Sequence, residues 1–153
     1  MKENPNKNNS SKFRGLKMKY TVDIQATLDY NDLYNEPCPC TYCRNYEEAF
    51  PKTYPEVVEI LKTFGIRVER PLEVMEWSWN DTKDKRKYSS FYSVKGELFQ
   101  EELVIYDKDV MISLFHSDSN KPLYRNTGMK KPYFILEIWY IELPWVLPKP
   151  PDE

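Results

Sequence analysis

At 153 residues, with 22 basic and 24 acidic side chains, the chain is the size of one domain with a net charge of -2. A chain of that size buries roughly two-thirds of its unfolded surface and folds without metal or disulfides. The charge balance excludes whole-molecule attraction to nucleic acid or an anionic membrane, and no apolar run approaches the ~20 residues of a transmembrane helix.

Residues 1–17 carry five basic side chains and one acid, Glu3, with only Phe13 and Leu16 to bury. The composition predicts a disordered basic tail, and Met18, where the ordered pattern begins, is an alternative translation start. The segment lacks the apolar middle of a signal peptide, which points to a cytoplasmic protein with reduced thiols. From Tyr20 to Leu28, apolar Tyr20, Val22, Ile24, Ala26 and Leu28 alternate with mostly polar partners, which predicts a half-buried strand. A loop, Asp29–Pro39, follows, then a short helix, Tyr42–Phe50, capped by Thr41 and stopped by Pro51.

Thr53-Tyr54-Pro55-Glu56 reads as a capping box with proline in the first turn of a second helix. Val57, Val58, Leu61 and Phe64 share a face of that helix, and Gly65 stops it. Leu72–Trp79 is a predicted strand with Met75, Trp77 and Trp79 on one side. Tyr88–Val94, Glu97–Tyr106 and Val110–His116 are further strands, joined by hairpin-length links at Lys95-Gly96 and Asp107-Lys108-Asp109. After a polar loop, Ser117–Lys131, Tyr133–Ile141 is apolar on both faces except at Glu137, as a central strand requires. The prolines at 144, 148, 150 and 151 end regular structure. The expectation is one α+β domain over 18–147, a mostly antiparallel sheet with two helices near its N-terminal end, followed by a proline-rich tail at 148–153.

The chemistry concentrates in Cys38-Pro39-Cys40-Thr41-Tyr42-Cys43-Arg44, which holds all three cysteines in a C-x-C-x-x-C pattern. Thiolate is the form that binds metal or attacks a disulfide, and a helix N-terminus with Arg44 alongside favours it. Three thiolates supply three corners of a tetrahedral zinc site. The one histidine, His116, makes a complete Cys3His set with Cys38, Cys40 and Cys43; an Asp or Glu could complete it instead, or water could leave it open. The competing chemistry is thiol–disulfide exchange at Cys40 and Cys43, a C-x-x-C at a helix start. The segment Cys40–Ala49 resembles a glutaredoxin active site, but the expected antiparallel, β-rich second half does not suit a thioredoxin-like fold.

The run C-x-C-x-x-C-Arg-Asn, followed by a proline-initiated helix ending Phe64-Gly65-Ile66 and then Pro71, resembles small uncharacterised bacterial proteins over Cys38–Glu73. That resemblance implies a bacterial cytosolic protein and transfers no catalytic residue. Four glycines are too few for a glycine-rich phosphate loop. A Ser-His-Asp triad would have to use His116, with no sequence support. The acidic pairs Glu47-Glu48, Glu101-Glu102 and Asp107/Asp109 read as solvated charges.

Two basic loops, Lys83–Lys87 and Lys121–Lys131, lie beside tyrosines, but acids and prolines dilute them, which argues against nucleic-acid binding. Trp77, Trp79, Trp139 and Trp145 exceed what one small core readily hides, and suggest a protein partner or a second copy on an aromatic β-face. The sequence thus points to a non-enzymatic interaction or regulatory module with a zinc site, and second to a redox protein.

Overall fold

The computed structural model describes residues 19–117 and 128–149. The tail expected at 1–17, most of the loop Ser117–Lys131 and the end of the proline-rich segment lie outside the described residues. The architecture is α+β: among the described residues, three helices precede a five-stranded sheet in which every neighbouring pair is antiparallel. The helices are α1 (Ile24–Tyr34), α2 (Thr41–Thr53) and α3 (Pro55–Thr63). The strands are β1 (Glu73–Trp79), β2 (Lys85–Lys95), β3 (Glu102–Asp107), β4 (Val110–His116) and β5 (Tyr133–Pro144), in the spatial order β1-β2-β5-β4-β3. Among the described residues no helix is long and apolar enough to cross a membrane.

The first element differs from expectation. The stretch expected as a strand from Tyr20 to Leu28 makes a single bridge, Tyr20 to Leu98, and then turns into α1. Asp23 starts the helix, its carboxylate accepting from the Ala26 N–H at 2.9 Å. The buried residues of α1 are polar, Thr27 and Asn31 one turn apart, while Ile24, Leu33 and Tyr34 are exposed. The reason lies in what the helix packs against.

Pairing with β1 ends where Glu73 meets Phe91, leaving the last residues of β2 with an open backbone edge. Asn31 Nδ2 donates to the Ser93 carbonyl at 3.2 Å. The Lys95 N–H donates to Thr27 Oγ1 at 3.0 Å, and the Lys95 carbonyl accepts from the Asp23 N–H at 2.8 Å. Helix α1 therefore replaces a sixth strand with side-chain hydrogen bonds, because buried peptide groups must be paired. A helix that serves a backbone edge carries no apolar stripe.

Helix α2 is longer than expected, running through Pro51 to Thr53. Thr53 does not form the expected capping box; its hydroxyl donates to the Ala49 carbonyl at 2.8 Å. Tyr54 ends α2 and precedes α3, which begins on Pro55. Gly65 follows α3 at φ +74°, and a Cβ there would lie 2.5 Å from the Ile24 carbonyl oxygen, so it also permits the close approach of α1.

Tyr46, Phe50, Val57 and Leu61 from α2 and α3 join Tyr88, Tyr92, Ile112, Leu114, Phe134, Leu136 and Ile138 from the sheet in the main core. Each such side chain contributes on the order of 1.5–3 kcal/mol by leaving water. A smaller cluster, Leu72, Phe91, Phe115 and Ile135, lies on the other sheet face with Met75 and Trp139 packed against it. Strand β5 is central, as its two-sided apolar pattern requires.

Two irregularities redirect side chains. In β1 the register slips between Glu76 and Trp79, so Trp77 stacks on Trp139 while Trp79 turns to the opposite face, against Trp145 and Arg86. The three aromatic or sulfur side chains expected on one side are thereby split. In β5 a bulge at Trp139-Tyr140, with Tyr140 at φ +64°, passes the core face from Leu136 and Ile138 to Ile141 and Leu143. The hairpin expected at Asp107-Lys108-Asp109 joins β3 to β4, with Asp107 opposite Val110. Lys95-Gly96 is no hairpin: β2 and β3 are three places apart in the sheet. Gly96, at φ +155°, instead lies against the Thr21 backbone, where a Cβ would come within 2.0 Å of the carbonyl oxygen.

Candidate metal centre

The cysteines enter on a short loop that α1 holds in place. Asn35 is buried and its side chain donates to Asn31. Its carbonyl accepts from Arg70 at 3.3 Å, while Asp32 of α1 pairs with Arg67 and lies 3.9 Å from Arg70. From there Pro37 and Pro39 stiffen the approach to Cys40, which caps α2. Cys40 Sγ accepts from the Cys43 N–H at 3.4 Å, a sulfur standing where a hydroxyl or carboxylate usually caps a helix.

The three Sγ atoms all lie within 4.8 Å of one another. Cys38 and Cys40 are exposed and Cys43 is partly buried. They line a pocket of about 270 Å³ shared with Glu36, Glu47, Glu73 and the ring of Tyr46. Tetrahedral zinc with Zn–S bonds of about 2.3 Å places its sulfurs about 3.8 Å apart, so small rotations of the three side chains suffice.

The thiols are electrostatically unequal. A hydrogen bond from the Cys40 backbone, assisted by the Cys40 and Cys43 side chains, lowers the Cys38 pKa against partial burial and the Glu47 charge. Cys43 is pushed well up, by burial first and then by the two neighbouring sulfurs. The helix N-terminus and Arg44 are expected to favour thiolates at Cys40 and Cys43; at Cys43 burial and its sulfur neighbours outweigh them, while the pKa that is lowered is that of Cys38. A metal ion would override this difference, because coordination favours the thiolate at every bound sulfur. Glu47, partly buried and close enough to act on Cys38, has its own pKa raised by burial and by Glu69, against Arg44 and Arg70.

His116 is not brought to the cluster. It ends β4, paired with Phe134, and β5 and β2 separate its strand from β1, beside which the cysteines lie. Three strand spacings of about 4.8 Å make roughly 14 Å across the sheet. Among the described residues, the candidate ligands that come together are Cys38, Cys40 and Cys43, without His116. Glu47, read from the sequence as a solvated charge, is partly buried and lies four residues from Cys43 on one helix face. Of the basic run Lys83–Lys87, Arg86 is buried, hydrogen-bonded to Glu76 and set between the rings of Tyr42 and Trp79.

No protein-family model, no curated protein and no solved structure matches this chain.

Proposed function

We propose that this protein is a non-enzymatic interaction or regulatory module whose Cys38, Cys40 and Cys43 hold a zinc ion. The observation that carries the reading is the mutual approach of all three sulfurs within 4.8 Å at the start of α2. Thiolates of that number and spacing select a soft, thiophilic, d10 ion and leave one coordination position for a further ligand. Bound there, zinc would tie the loop before α2 to the helix it caps. The partner we infer is another protein, or a second copy of the chain, on the sheet face where Trp77 stacked on Trp139 and Tyr106 are exposed.

The test is elemental analysis of protein purified without a histidine tag under reducing conditions. We expect about one zinc per chain, lost in Cys38→Ser and Cys40→Ser and kept in His116→Ala. Protein that carries no zinc and takes none up would sink the reading. A second reading, thiol–disulfide exchange at Cys40 and Cys43, is favoured by one observation: the exposed Cys40 sulfur accepts from the Cys43 N–H at the start of α2, where the two cysteines are held together. It requires that the reduced, metal-free protein exchange with a small disulfide, and that Cys43→Ser halt the reaction at the mixed disulfide.

A further inference from the structure

Zinc takes four ligands and the cysteines supply three. We infer that Glu47 supplies the fourth, an assignment that rests on the zinc reading above. Cys43 and Glu47 are four residues apart on α2, which places their Cβ atoms about 5–6 Å apart on one helix face. Both are partly buried, whereas Glu48, one position on, is exposed. Glu47 lines the same pocket as the three sulfurs.

The carboxylate is not among the ligand atoms that lie within 4.8 Å of one another, so coordination requires its long side chain to rotate on a backbone fixed by the helix. The pocket holds two rivals. Glu36 is exposed on the loop, separated from Cys38 by Pro37, and Glu73 belongs to the edge strand β1. Neither lies on α2, the helix that carries Cys43. Three thiolates and a carboxylate leave a net charge of -2 around the ion, which the positive charges of Arg44 and Arg70 acting on Glu47 offset in part. The outcome is a closed Cys3Glu centre, in which zinc braces the fold and has no open position for substrate.

The experiment titrates the reduced full chain with cobalt(II), followed by zinc competition, in the wild type, Glu47→Gln, Glu36→Gln and Glu73→Gln. The wild type should show the intense visible bands of a four-coordinate thiolate–cobalt centre. Glu47→Gln should shift those bands and weaken zinc binding by at least about tenfold, the loss seen when a group that merely supports a ligand is removed. Glu36→Gln and Glu73→Gln should match the wild type. Melting in chelator checks that the variants fold, and Glu47→Asp, which keeps the carboxylate on a shorter stem, should fall between wild type and Gln. Unchanged bands and affinity in Glu47→Gln would overturn the assignment in favour of water, and a loss confined to Glu36→Gln or Glu73→Gln would transfer it to that residue. Wild-type protein that binds neither ion would defeat the zinc reading itself, a result distinct from a normal centre that ignores Glu47.

Discussion

Replacing Asn31 with alanine tests the idea that α1 stands in for a missing strand. The side chain donates to the Ser93 carbonyl at 3.2 Å and accepts from the Ser93 hydroxyl at 3.4 Å and from Asn35. Asn31, Ser93 and Asn35 are all buried, so water does not readily replace what is lost. A buried group left unpaired costs about 1–3 kcal/mol, and with two weaker bonds lost as well the total comes to about 3 kcal/mol. For a domain of this size each kcal/mol lowers Tm by about 2–4 °C, so Asn31→Ala should melt about 9 °C below the wild type. Urea unfolding should show the same loss at an unchanged m-value. Because Asn31 also holds Asn35 at the head of the cysteine loop, zinc affinity should weaken in the same variant. A loss below about 1 kcal/mol, smaller than one unsatisfied buried group, would refute the reasoning and show that the Asn31 side chain does not carry the β2 edge.

Three further outcomes follow from the packing. Burial raises the pKa values of Tyr46, Tyr88 and Tyr92 above the ordinary 10.0; above pH 10 the unfolded chain holds fewer protons than the folded one. Stability should then fall with rising pH by up to about 1.4 kcal/mol per pH unit for each tyrosine, a slope that Tyr92→Phe reduces in alkaline urea titrations. Arg86→Met leaves the half-buried Glu76 without its guanidinium and removes the stack between Tyr42 and Trp79, and should cost about 1.5–3 kcal/mol by chemical denaturation; a cost under about 1 kcal/mol would class the pair with ordinary surface ion pairs. Gly96→Ala places a Cβ 2.0 Å from the Thr21 carbonyl oxygen and should lower Tm clearly, whereas Gly128→Ala, whose nearest neighbour is the Tyr30 hydroxyl at 3.4 Å, should cost less.

The sequence by itself determined those elements whose burial is against an apolar core. The face of α3, the central position of β5 and the turn between β3 and β4 were readable because apolar side chains recur at the period of the element that buries them. The cysteine cluster was readable because its three sulfurs are neighbours in the chain. Only the tertiary structure decided the rest. Helix α1 buries Thr27 and Asn31 against a backbone edge, and hydrogen bonds to peptide groups leave no apolar period to read. The bulges that turn Trp79 and Ile141 to new faces depend on register with partner strands. So does the separation of His116 from the cysteines, which follows from a strand order in which β5 comes between β2 and β4. Such pairings are made between segments distant in sequence, where no local pattern records which strand will become a neighbour.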